Sequence, residues 1–300
     1  MISGIQANTG SFLASLSNLE NRLSQVNQQM SSGYRVNQAS DDPTAIQPIV
    51  AYQGRIDYIN QIKSNLTQAQ TAAQTADSAL QQASTLMDQL VTLATQGASS
   101  TSDASTRSNL AQKVQAIQQQ LVAIANTTSN GQYIFGGDSA TTAPYTYTGT
   151  GPNGVTQNGT PTNTQILRDS DGNEITPSLT AQQIFDSSNG SIFQAAYDLS
   201  SALLANNQTG IQTALTEVQT GSQQLTAASV SYGNIETWIT NGISTATSHV
   251  NNLTQALSAV RDADLPTLAT ELTTDQTAMQ AAIAADGSLN NMKSLFDYMG

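Results

Sequence analysis

Between Ile59 and Ala94 the apolar residues recur in steps of three and four: Ile59, Ile62, Leu66, Ala69, Ala73, Ala76, Leu80, Ala83, Met87, Leu90 and Ala94. Gln, Thr, Ser and Asp fill the positions between them, so the stretch predicts one long helix with a single heptad seam. At about 1.5 Å of rise per residue such a helix extends on the order of 50 Å, which predicts a rod built from long helices. Nearly half of the seam is alanine, which buries little area itself and lets a partner helix come close.

The same logic recurs on either side. Ile5, Phe12, Leu16, Leu19, Leu23, Val26 and Met30 form one stripe of an N-terminal helix that should end near Gly33, where glycine suits a left-handed cap. Asp42 and Pro43 then fit the cap and first position of the next helix, so Ser32 to Ala45 reads as a joint. The long helix should stop at the small-residue turn Gly97 to Ser100. A return helix with Leu110, Val114, Ile117, Leu121 and Ile124 on one face completes a helical hairpin.

From about Gly131 the helical period is lost in Gly, Pro, Asn and Thr, and short β-type runs such as Tyr145 to Thr148 appear. Helix resumes with Ile192, Ala196, Leu199 and Leu203, then in a longer stripe from Ile211 through Tyr232, Ile235, Ile239 and Leu257 to Val260. The phase breaks at Asp262 to Pro266, and a last amphipathic segment carries Leu265, Leu268, Leu272, Met279, Ala282 and Leu289. The predicted fold is mainly α: an elongated antiparallel helical bundle or coiled-coil rod, with paired N- and C-terminal helices and a β-rich inserted outer domain. Three parts are expected: terminal helices at 1–43 and 262–300, a helical rod at 44–130 and 190–261, and the insert at 131–189.

Composition narrows what such a chain can do. Charged residues are 10% and the formal net charge is −12, with Lys and Arg scattered singly, so nucleic acid and anionic membrane are not predicted partners. The absence of cysteine removes disulfides, thiolate metal sites and cysteine nucleophiles. The start has no basic segment followed by a continuous apolar core, so no cleavable secretory signal is expected, and no run reaches the length of a membrane span.

Candidate chemistry is sparse. Gly149 to Gly154 fits a G-x-G-x-x-G spacing, but a phosphate loop needs a helix N-terminus after it and none is predicted, so a surface loop is expected. Asp169 to Glu174 reads as a hairpin turn on Asp171-Gly172. His249 has no acid–base partner at a recognisable spacing, the Asp41–Asp42 pair has a capping role, and Trp238 is expected in the core or at a contact of the rod. No catalytic, cofactor or metal residue is predicted. The two lone amphipathic ends instead predict an interaction or structural protein.

Three segments carry a family resemblance. Ser32-Gly33-Tyr-Arg35-Val through Ser40-Asp41-Asp42-Pro43, within Ser32 to Ala45, resembles the joint after the first helix of bacterial flagellins and their relatives. Asn130-Gly-Gln-Tyr-Ile-Phe-Gly-Gly137 and Ser294-Leu-Phe-Asp-Tyr298 resemble the corresponding segments of the hook-associated protein 3 family. The resemblance implies a non-enzymatic axial subunit of the flagellum at the hook–filament junction, extracellular and exported by the flagellar type III route. It also implies several partners: hook-associated protein 1, flagellin, copies of the chain in a ring, and an export chaperone. The joint residues would be Ser32, Gly33, Arg35, Ser40, Asp41, Asp42 and Pro43. The assembly faces would be the N-terminal stripe together with Leu268, Leu272, Met279, Leu289, Leu295, Phe296 and Tyr298. These ends are expected to order only on assembly. A short flagellin and a non-flagellar secreted coiled-coil binder are the alternatives.

Overall fold

A computed structural model describes residues 2–149, 153–161, 165–187 and 190–291, with side-chain surroundings from residue 10 to residue 285 among them. Seven α-helices lie among the described residues: α1 (Ile2–Ser32), α2 (Pro43–Ala98), α3 (Ala104–Ala125), α4 (Ala181–Phe185), α5 (Ile192–Leu204), α6 (Gln208–Arg261) and α7 (Leu265–Asn291). The insert contributes four antiparallel two-stranded pairs. These are β1 (Thr128–Ser129) with β2 (Gln132–Tyr133), β3 (Tyr145–Tyr147) with β4 (Val155–Gln157), β5 (Leu167–Arg168) with β6 (Glu174–Ile175), and β7 (Asp186–Ser187) with β8 (Gly190–Ser191). The chain is thus mainly helical with a small β-containing insert, as the periodicity predicts.

The chain divides into two compact units, Met1–Tyr58 with Val250–Gly300, and Ile59–His249. In the second unit the heptad seam is the core. Leu66, Ala73, Ala76, Leu80, Ala83, Met87, Leu90 and Ala94 are each 1% exposed or less, and Ala69 is half-buried beside them. They share one cluster with Leu110, Val114 and Leu121 of α3, Ala196 and Leu199 of α5, and Ile211, Val218, Leu225, Tyr232 and Ile239 of α6. Each buried leucine contributes about 1.5–3 kcal/mol through removal of apolar surface from water.

The alanine seam does not act as expected. The closest backbone approaches in this unit are between α3 and α5, whereas α2 meets α6 through side chains set against glycine. A Cβ on Gly221 would lie 2.8 Å from Met87 Cε, and one on Gly242 would lie 3.2 Å from Leu66 Cδ1. Glycine on α6 makes room for Met87 and Leu66 of α2 at these two points.

The exposed face of α2 is rich in hydroxyls that bond to their own helix. Thr67, Thr71, Thr75, Thr85, Thr92 and Thr95 of α2 each donate to the carbonyl four residues back, at 2.8–3.2 Å. This satisfies the side chain locally and leaves a polar, uncharged surface.

The insert packs into the same core as the helices. Phe135, Tyr145, Phe185, Phe193 and Tyr232 form an edge-to-face and stacked aromatic group with centroids 4.7–6.4 Å apart. Such pairs add to the burial of their large apolar surfaces. The Tyr145 hydroxyl donates to Asp186, and burial together with that carboxylate pushes its pKa far up. Two buried amides tie the insert down: Gln118 of α3 donates to the carbonyls of Asn153 and Phe193, and Gln224 of α6 to that of Ile184.

Candidate functional site

The joint between α1 and α2 pairs with the joint between α6 and α7. Gly33 takes φ +74° and its N–H donates to Gln29 O, which closes α1. Tyr34 then bridges Asp262 in antiparallel fashion. The N–H groups of Arg35 and Val36 donate to Arg261 O at 2.7 and 3.3 Å, and Ala263 N–H returns to Gly33 O at 3.0 Å. The last carbonyls of α6 are thus capped by the joint that precedes α2.

Arg35 joins three parts of this knot. Its guanidinium donates to Asp42 at 3.0 Å and to Val260 O at 2.7 Å. Asp42 in turn caps α2, accepting from the Thr44 N–H and hydroxyl and the Ala45 N–H at 2.6–3.2 Å, just ahead of Pro43. The Thr44 hydroxyl first, and Arg35 second, hold the Asp42 carboxyl down at about 2. The backbone N–H groups of Asn37 and then Gln38 lower Asp41. Partial burial pushes Asp262 up, but the Ser258 hydroxyl and Arg261 outweigh it and leave its pKa below the usual value. Arg261 stacks 4.0 Å from the Tyr34 ring centroid. Beneath these groups Val36, Ala45, Ile49 and Leu257 make a small separate core.

All seven predicted joint residues lie in this one region. Ser32 lies at its edge, its hydroxyl accepting from Tyr34 N–H. Ser40 is exposed in the turn.

From the joints α1 and α7 run alongside each other with opposite chain directions. Phe12, Leu16, Leu19 and Leu23 are half-buried, Val26 is buried and Met30 is exposed at the edge. On α7, Leu268 is buried and Leu272, Met279 and Ala282 are half-buried. The stripes cover each other only in part. Leu13 at 58%, Leu265 at 49% and Ile283 at 61% stay exposed. The side chains of Ile5 and Leu289, and all of Leu295, Phe296 and Tyr298, lie outside the described residues. One pair escaped the sequence reading: Arg22 of α1 donates to Asp275 of α7, whose side chain is buried.

Elsewhere the candidate chemistry resolves into structure. Asp169 to Glu174 forms the β5–β6 turn with Gly172 at φ +89°. His249 lies 3.6 Å from Asp171, a partner that sequence spacing did not suggest. Gly149 and Gly154 flank the β3–β4 connection, whose residues 150–152 lie outside the described residues, and a strand follows it where a phosphate loop needs a helix. Trp238 is 56% exposed, which rules out the core, one of the two places expected for it. The buried stripe of α6 passes through Ile235 and Ile239, and the indole stands off it in an open groove with Asp169, Asp171 and Asn173. Among the described residues no group of His, Cys, Asp and Glu side chains is placed to hold a metal, and no helix is long and apolar enough to cross a membrane.

Residues 5–140 match the family model of the bacterial flagellin N-terminal helical region. Flagellin of Clostridium tyrobutyricum is 32% identical over 108 residues, 36% of this chain and 29% of that protein. Flagellar hook-associated protein 3 of Escherichia coli is 34% identical over 122 residues, 39% of this chain and 38% of that protein. These matches span well under half the length of the relatives. Among solved structures, one described as a flagellar hook-associated protein from Vibrio parahaemolyticus superposes with a TM-score of 0.67. It covers 74% of this chain and 100% of its own at 16% identity. The matched segment, under half of the chain, is similar to the flagellin N-terminal helical region. The N-terminal part is thus similar in sequence both to flagellin and to hook-associated protein 3, and the helical fold is shared with the hook-associated structure.

Proposed function

We propose that the chain is an axial subunit of the hook–filament junction, whose paired terminal helices join it to neighbours in the assembled flagellum. The observation that carries this is the incomplete cover of the arms. Two amphipathic helices are fastened together at a capped joint, yet Leu13, Leu265 and Ile283 remain exposed along them. Lone stripes of this kind gain most of their helical stability from a partner, so the arms are adhesive ends that order fully on assembly. The central unit, with its large shared core, is the part that carries them.

The segment Asn130 to Gly137 and the similarity to hook-associated protein 3 favour the junction over the filament. On this reading hook-associated protein 1 and flagellin contact the arms from either side, and copies of the chain complete the ring. An export chaperone holds the arms before export, which runs through the flagellum's type III route without a cleaved signal. Deletion in the parent cell tests it. Hooks without filaments and flagellin shed into the medium are expected. Intact filaments in the deletion strain, or long filaments formed by the purified chain alone, would instead favour the flagellin reading suggested by the 32% identity to flagellin.

A further inference from the structure

The most buried described side chain of α7 is a carboxylate. Asp275 is 2% exposed, below Leu268 at 7%, and it occupies the stripe between Leu272 and Met279. Arg22 donates to Oδ1 while its own side chain is 63% exposed. The second oxygen, Oδ2, is buried and has no hydrogen-bond partner among the described residues. Burying a charge is unfavourable unless it is paired, and a pair that leaves one oxygen bare offsets only part of that cost. A leucine at 275 would complete an apolar stripe, so the carboxylate is not there for stability.

Its position and its partner restrict how the helices can slide. Arg22 lies ten residues before the end of α1, and Asp275 ten residues after the start of α7. Arg22 is the only basic residue in α1. A slip of one heptad along α1 sets position 275 against Ser15 or Gln29, neither of which carries a charge. The apolar stripes themselves discriminate little, because α7 is built from alanine and threonine around a few large residues. A single buried polar group in an apolar seam is an established way to fix register at some loss of stability.

We infer that Asp275, through Arg22, keeps the two arms, ten residues out, in the register in which the joint hydrogen bonds of Gly33 and Arg261 start them. It is a specificity-determining residue of the arm interface. The inference goes beyond the junction reading and is tested on the purified chain, so its failure is distinct from that of the deletion experiment.

The absence of cysteine makes the test direct. One cysteine pair is placed across the arms flanking Leu23 and Leu272, and a second pair is displaced by seven residues along α7. Disulfide trapping is followed in full-length chain, in an osmolyte that drives helix pairing. Unaltered at 22 and 275, the chain should trap the native pair about tenfold or more faster than the displaced one, the scale of a single unpaired buried charge. Asp275→Leu should raise total trapping while bringing the two rates within about threefold, because an apolar seam pairs more strongly and slides. Arg22→Ala, which leaves the carboxylate alone, should slow trapping of the native pair. Equal rates before any change at 22 or 275, or an undiminished preference in Asp275→Leu, would overturn the inference. A merely structural Asp275 predicts slower trapping of both pairs in that variant.

Discussion

Arg107 of α3 donates from Nε to the carbonyl oxygen of Gly97, 2.8 Å away in the last turn of α2. The same guanidinium donates to Ser99 O at 3.2 Å and to the Asn206 side chain, and it is itself buried. Ser102 and Gln208 cover the neighbouring carbonyls of Gln96 and Ala98. One cation therefore closes the end of the longest helix and ties it to the α5–α6 turn, where Asn206 takes φ +53°. Arg107→Ala removes the donors of three acceptors at once, that of buried Gly97 among them, and should cost about 2–4 kcal/mol of unfolding free energy in urea, by the usual worth of charged hydrogen bonds. Arg107→Lys should recover only part of this, since an ammonium cannot span three acceptors in a plane.

Gly97 faces the other way into the core. A Cβ there would lie 2.4 Å from Leu203 Cδ2, and Leu203 is 1% exposed and fixed among its neighbours. At Gly221 the nearest atom is the end of Met87, whose thioether chain bends more readily. Alanine gains up to about 1 kcal/mol of helix propensity at either site, against an overpacking cost of about 1–3 kcal/mol. Gly97→Ala should therefore lower the melting temperature, and Gly221→Ala should lower it less. The reverse order in a thermal melt would show that α5 yields more easily than Met87.

The heptad seam was legible because one face of α2 is buried from Ile59 to Ala94, with Ala69 alone half-buried, so pattern and burial coincide. The insert was legible only as a loss of period. Its strands are two or three residues long, and what fixes it is Gln118 and Gln224 reaching backbone carbonyls far along the chain. No local propensity encodes such contacts. Trp238 lies off the stripe through Tyr232, Ile235 and Ile239, so its place outside the core was legible in the sequence. Asp275 had a signal too: the apolar stripe steps seven positions from Leu272 to Met279, and the seam position passed over is an aspartate. Arg107 likewise stands three residues before Leu110, in phase with the buried face of α3.

The joint should weaken in acid. Asp42 titrates near 2 in the folded chain against an ordinary 3.8, and Asp41 and Asp262 are also lowered. A carboxyl whose folded pKa is depressed stabilises the fold above its unfolded pKa, and this contribution is lost as pH falls through the folded value. The melting temperature should thus hold above about pH 4 and fall between about pH 4 and pH 2. Asp42→Asn, which cannot accept with the same charge, should melt lower at pH 5 and show a flatter decline through that window. An unchanged slope in Asp42→Asn would place the acid sensitivity outside Asp42.

Core and arm substitutions should separate folding from assembly. Leu80 is fully buried in the seam, and Leu80→Ala leaves a cavity that should cost about 3–5 kcal/mol. Leu13 and Ile283 sit 58% and 61% exposed on the arms, so Leu13→Ser and Ile283→Ser should each change unfolding free energy by less than about 0.5 kcal/mol. If those exposed residues are covered by neighbours in the flagellum, the double variant should be secreted at normal levels and yet fail to restore filaments in a deletion strain. Leu80→Ala should show the opposite pattern, with less protein secreted and filaments formed in proportion to it. Full motility from the double arm variant would mean that the exposed stripe is not the surface through which the subunit joins its neighbours.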